Sequence, residues 1–161
     1  MNDELLAHTI SFPGAVLQRG FWLYVVEVRG SEASHLYVGR TGDSSSPHAG
    51  SPFSRIGQHL DVRANAKGNA LGRNLRVAGV DPGACVLQMI AVGPLFPEQA
   101  DFEAHRPVRD RVGALEAGLA QALRKKGHTV LGKHPSRGSV DEEQLARILG
   151  LVEERLNHHA A

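Results

Sequence analysis

The run Phe21-Trp22-Leu23-Tyr24-Val25-Val26-Glu27-Val28 is aromatic and β-branched almost without interruption, the signature of a strand. Arg29-Gly30-Ser31-Glu32 is turn chemistry, and apolar positions resume from His35 to Gly39. The two runs predict a β-hairpin with a loop of about five residues. Gly42 to Pro52 reads as loop and includes Ser44-Ser45-Ser46-Pro47. Ser51 and Pro52 then supply an N-cap and a first helical residue, opening a helix that runs through His59 towards Arg63. Residues 64–83 are rich in Gly and Asn and show no clear period beyond a short candidate helix around Leu71 to Val77. Asp81-Pro82-Gly83 is a turn. Ala84 to Val92 is apolar, partly β-branched and bounded by breakers, which predicts a third strand, buried and central.

The remainder follows the helical period. A helix is expected near Glu98 to Ala104. A longer one is expected from Pro107 to Lys126, where Val108, Val112, Leu115, Leu119 and Ala122 recur at helical spacing. Pro107 suits the first helical position and Gly127 the position after the C-cap, while Arg124, Lys125 and Lys126 complement the helix dipole. Ser139-Val140-Asp141-Glu142 reads as a capping box. It opens a last helix over 139–157, with Leu145, Ile148, Leu149, Val152 and Leu156 on one stripe that serves packing or a homodimer. The order β-β-α-β-α-α predicts an α+β fold, a small three-stranded antiparallel sheet flanked by helices.

The chain has 161 residues, 42% of them hydrophobic, enough for one core and one domain. No apolar run approaches the ~20 residues of a membrane-spanning helix. The acidic start Met1-Asn2-Asp3-Glu4 is unlike a signal peptide, so a cytoplasmic protein is the expectation. A lone Cys85 allows neither an internal disulfide nor a thiolate-rich zinc site. Net charge is only +1, but from Arg55 to Arg137 there are 13 basic against seven acidic residues. A polyanion-facing surface fits that asymmetry, as do solvated helix faces.

The residues that stand out for chemistry are Tyr24, Tyr37, Arg55, His59 and Glu116. Facing strands can bring the two tyrosines to one rim of the sheet. Arg55 and His59, four apart on a helix, share a face. Glu116 lies on the Val112, Leu119 and Leu123 side of its helix, where a carboxylate needs a cation or a metal.

At these positions the chain resembles the GIY-YIG nuclease superfamily. Leu23-Tyr24 stands in the first motif and Tyr37-Val38-Gly39 in the second, followed by Arg40-Thr41-Gly42-Asp43. Arg55-x-x-x-His59 is similar to the helix signature and Glu116 to the metal-binding acid. The resemblance spans about residues 21–135, and the helix over 139–157 is additional. Two features depart from the family pattern. No Asn follows Glu116 at the usual distance, where Thr129 to His134 stand instead, and the loop from Gly42 to Pro52 is longer.

The resemblance implies a metal-dependent DNA endonuclease with one Mg²⁺ or Mn²⁺ on Glu116. It further implies that Tyr37 takes the proton from water, that Arg55 binds phosphate, and that Tyr24 and His59 orient water or phosphate. Arg40, Lys133 and His134 are expected to contact the substrate, double-stranded or branched DNA. The alternative on the same fold is a nucleic-acid-binding module with weak or no catalysis.

Overall fold

A computed structural model describes residues 4–44, 48–136 and 138–158. The calls on Met1–Asp3, on loop residues 45–47, on Arg137 and on the last three residues lie outside that set. Among the described residues the fold is α+β, with three antiparallel strands and four α-helices in the order β1 (Phe21–Arg29), β2 (Ser34–Arg40), α1 (Pro52–His59), α2 (Ala70–Val77), β3 (Val86–Phe96), α3 (Phe102–Lys125) and α4 (Glu142–Asn157). No helix among the described residues is long and apolar enough to cross a membrane.

The sheet order is β2-β1-β3, so the central strand is β1 and not β3. Connectivity explains the correction. β1 and β2 are joined by a tight turn in which the Gly30 amide donates to the Ala33 carbonyl at 2.9 Å, so no strand can lie between them. β3 adds to the other side of β1 and stays at the edge, with Ile90 alone fully buried. β1 has both edges paired and both faces covered, which accounts for its unbroken apolar run.

One face, with Leu23, Val25, Leu36 and Val38, packs on Val112, Leu115, Leu119 and Leu123 of α3 and on Leu145, Ile148, Val152 and Leu156 of α4. The apolar stripe of α4 is therefore packed into the core, the first of its two expected uses; Leu151 is the large apolar side chain it leaves exposed. The other face, with Tyr24, Val26 and Val28, packs on Leu71 and Leu75 of α2 and on Leu131, with Ile56 and Leu60 beside them.

Two boundaries shift for local reasons. The segments expected as two helices around Glu98–Ala104 and Pro107–Lys126 form one helix, α3, capped by Asp101, whose side chain accepts from the Ala104 amide at 2.8 Å. Pro107 lies inside it, where it removes one backbone hydrogen bond. The C-terminal end forms as expected. Gly127, at φ 93°, and His128 donate back to Arg124 and Leu123, closing a Schellman motif. At α4 the cap is Asp141, accepting from Gln144 at 3.0 Å, and not Ser139.

Past α3 the chain returns along the outer edge of β2. The Leu36 amide donates to Thr129 and the Leu131 amide donates to Leu36, both at 2.8 Å. This brings Lys133 and His134 to the strand that carries Tyr37.

Candidate active site

The β1–β2 register sets Tyr24 opposite Gly39 and Val26 opposite Tyr37, so both tyrosines project from the same sheet face as diagonal neighbours. The Tyr24 ring lies across Gly39, where a Cβ would come within 2.5 Å of it. Glycine is needed there to admit the ring.

α1 completes this cluster. Ser51 caps its start by accepting from the Ser54 amide at 3.2 Å, with Pro52 at the first helical position, as expected. Arg55 and His59 face the tyrosines. His59 Nε2 and the Tyr24 hydroxyl form a hydrogen bond of 2.6 Å. The His59 ring stands edge-on to the Tyr24 and Tyr37 rings at 5.8 and 5.2 Å. His59 and Tyr24 are each 1% exposed, so they brace the site and do not present a surface to a ligand. Arg55 donates to Asp43 at 3.1 Å and to Gln58 at 2.7 Å. Its Nε and His59 Nδ1 are buried without a hydrogen-bond partner among the described residues.

The end of β2 is held by Thr41, which accepts from the Trp22 amide at 2.8 Å and donates to the Gly20 carbonyl at 2.5 Å. The buried His105 ring bonds the Gly42 carbonyl at 3.0 Å. These contacts fix Arg40 and Asp43 on either side of that end.

Strand alternation sends Arg40 to the α3 face. There its Nε lies 2.6 Å from Glu116 Oε2, the two side chains being 8% and 20% exposed. Arg40 Nη1 donates to the Arg109 carbonyl at 2.6 Å. The guanidinium sits over Gly113, where a Cβ would meet its Cζ at 3.1 Å. Glu116, Gly113 and Ala117 of α3, together with Lys133, His134 and Pro135, line a cleft of about 60 Å³.

His134 uses both ring nitrogens inside the protein, Nε2 on the Val38 carbonyl at 3.0 Å and Nδ1 with Arg124 at 3.2 Å. Burial holds its pKa below the ordinary value, so the neutral ring donates to Val38 and accepts from Arg124. It fastens the 129–135 segment to β2. Lys133 beside it is exposed.

The two halves influence each other electrostatically. Tyr37 is pushed up to about 12, first by burial and then by the Glu116 carboxylate, against the pull of Arg55. Tyr24 is raised further by burial and stays neutral. Burial and the Arg55 charge push His59 down to about 4, so it is a neutral imidazole at pH 7.

An unfolded histidine titrates near 6.5, so the unfolded chain binds more protons than the folded one between about pH 4 and 6.5. Stability is expected to rise with pH across that window and to fall as acid is added. Urea unfolding at a series of pH values checks this. His59→Gln should flatten the slope, and an unchanged slope in that variant would remove His59 as its source.

No group of three or more His, Cys, Asp or Glu among the described residues is placed to hold a metal ion. A divalent cation at Glu116 would thus have at most two such protein ligands among the described residues and otherwise waters or substrate oxygens. Mg²⁺ accepts such a site, because it keeps several waters and binds through one or two carboxylates plus phosphate.

Two residues not singled out from the sequence belong to the site. Asp43 orients Arg55, and Arg73 of α2 lies near enough to favour a Tyr37 phenolate. Asp43 had a signal in its place directly after Arg40-Thr41-Gly42; Arg73 had none, since only the packing of α2 on the sheet brings it near.

Comparison with protein-family models, curated proteins and solved structures finds no match for this chain.

Proposed function

We propose that the protein is a metal-dependent endonuclease of the GIY-YIG type, hydrolysing phosphodiester bonds in DNA. The observation that carries this reading is a polar cluster drawn from β1, β2 and α1 on one face of the sheet, with the Arg40–Glu116 pair of β2 and α3 on the other. Tyr24, Tyr37, Arg55 and His59 form one polar cluster, and the Glu116 charge reaches Tyr37. A carboxylate, an arginine and a tyrosine match the needs of phosphodiester hydrolysis. Those needs are a held cation, a phosphate clamp and a proton acceptor.

Arg55 offers a planar fork to the phosphate, braced by Asp43. Tyr37, once deprotonated to its phenolate, would take the proton of the attacking water and return to the phenol. Tyr24 and His59, buried and hydrogen-bonded to each other, hold Arg55 and Tyr37 in position. Glu116 would hold the Mg²⁺ or Mn²⁺, which neutralises phosphoryl charge and offsets the carboxylate that otherwise raises the Tyr37 pKa. Exposed Lys133 and Arg73 flank the site and would contact neighbouring phosphates, making binding sensitive to salt.

The test is incubation with plasmid, branched and single-stranded DNA in Mg²⁺ or in EDTA. Cleavage in Mg²⁺ alone is expected, with Tyr37→Phe slower by about 10² or more, the usual weight of a lost general base. Equal rates for Tyr37→Phe and wild type would exclude Tyr37 as the base.

The pairing of Glu116 with Arg40 favours a second reading, a DNA-binding module without catalysis. It predicts retardation of DNA that weakens with salt, and no cleavage with any divalent metal.

A further inference from the structure

Arg40 is set into the molecule in a way that a mobile phosphate-binding arginine is not. Its side chain is 8% exposed, bonded to the Arg109 carbonyl at 2.6 Å and seated over Gly113. Its Nε approaches Glu116 Oε2 to 2.6 Å but lacks the alignment of a hydrogen bond, so the contact is one of charge. Leaving this slot would strand the Arg109 carbonyl, and inserting a bulkier neighbour at Gly113 is sterically closed.

We propose that Arg40 is a fixed counter-ion for Glu116, which makes cation binding at that carboxylate depend on a phosphate arriving with it. The inference rests on the nuclease reading of Glu116. The carboxylate and guanidinium are neutral as a pair. Adding a divalent cation to Glu116 places two positive charges beside an immobile third, an arrangement that like-charge repulsion weakens. A phosphate anion at Lys133, which lines the same cleft as Glu116, restores the balance, so cation and phosphate stabilise each other's binding. By linkage, each raises the affinity of the other by the same factor. The protein without DNA would then hold Mg²⁺ or Mn²⁺ weakly, and the complete site would assemble on substrate.

The experiment is Mn²⁺ binding followed by the loss of the free-ion electron paramagnetic resonance signal, with no turnover required. Arg40→Gln, which removes the charge but keeps a polar group, should bind Mn²⁺ at least tenfold tighter than wild type. Arg40→Lys, which keeps the charge, should stay near wild type. A purely structural loss would weaken binding in both. Wild type should also tighten at least tenfold when a short phosphorothioate duplex is added, with Glu116→Gln plus duplex as the blank.

Arg40→Gln binding no tighter than wild type, while Glu116→Gln loses the ion, would overturn the counter-ion role and leave the metal assignment standing. Equal Mn²⁺ binding by Glu116→Gln and wild type would overturn both. Should Arg40→Gln fail to fold, a wild-type affinity indifferent to the duplex overturns the proposal by itself.

Discussion

Glu116→Gln is expected to abolish metal-dependent cleavage, a loss of about 10³ or more, while the protein still folds. Glutamine keeps the size and an acceptor oxygen but removes the charge that a divalent cation requires. Metal-derived charge stabilisation is worth several kcal/mol, and each 1.36 kcal/mol is about tenfold in rate. The same change leaves the buried Arg40 guanidinium without its anionic partner, so a loss of about 1–3 kcal/mol in stability should accompany it. Relaxation of supercoiled plasmid in Mg²⁺ measures the first effect and urea unfolding the second. Cleavage at the wild-type rate by a folded Glu116→Gln protein would end the nuclease reading. Loss of cleavage together with loss of a cooperative unfolding transition would call for Glu116→Asp, which keeps the charge with a shorter reach.

Gly39→Ala should be the most damaging small substitution in the sheet. Nothing about glycine is favourable in a strand interior, and alanine would ordinarily be the better residue. Here the added Cβ would lie 2.5 to 2.6 Å from the Tyr24 ring and hydroxyl. The ring cannot retreat, because Tyr24 is 1% exposed and bonded to His59 at 2.6 Å. Overpacking of this kind costs about 1–3 kcal/mol, and the displaced ring takes the His59 contact with it. We expect a lower urea midpoint and, with Tyr37 and Arg55 no longer braced, a fall in cleavage larger than the unfolded fraction explains. A Gly39→Ala protein as stable as wild type would mean that Tyr24 does not occupy this position.

Much of the fold is legible along the chain because it depends on neighbours in sequence. Ser51 caps α1 and Gly127 closes α3 through bonds a few residues long. The same holds for the hairpin of β1 and β2, and for the pairing of Arg55 and His59 on one helix face. The pairing of Tyr24 and Tyr37 on one sheet face follows from the hairpin register, while their meeting with Arg55 and His59 needs α1 to pack on that face. Where two local signals competed, pattern alone misled. Apolar richness made β3 look central, although the tight turn between β1 and β2 already forbade a strand between them. Pro107 looked like a helix start only because the capping oxygen of Asp101 lies six residues earlier.

The chain order alone therefore sufficed for the element types, the α+β class and the shared helix face of Arg55 and His59, because short-range hydrogen bonds and side-chain periodicity decide those. Three-dimensional packing was needed for the rest: β1 in the middle, α4 spent on the core, His134 tied to β2, and Arg40 locked against Glu116. Each of these joins segments tens of residues apart. Their partner is chosen by which buried surfaces and charges fit together once the sheet exists, and no spacing along the chain records that choice.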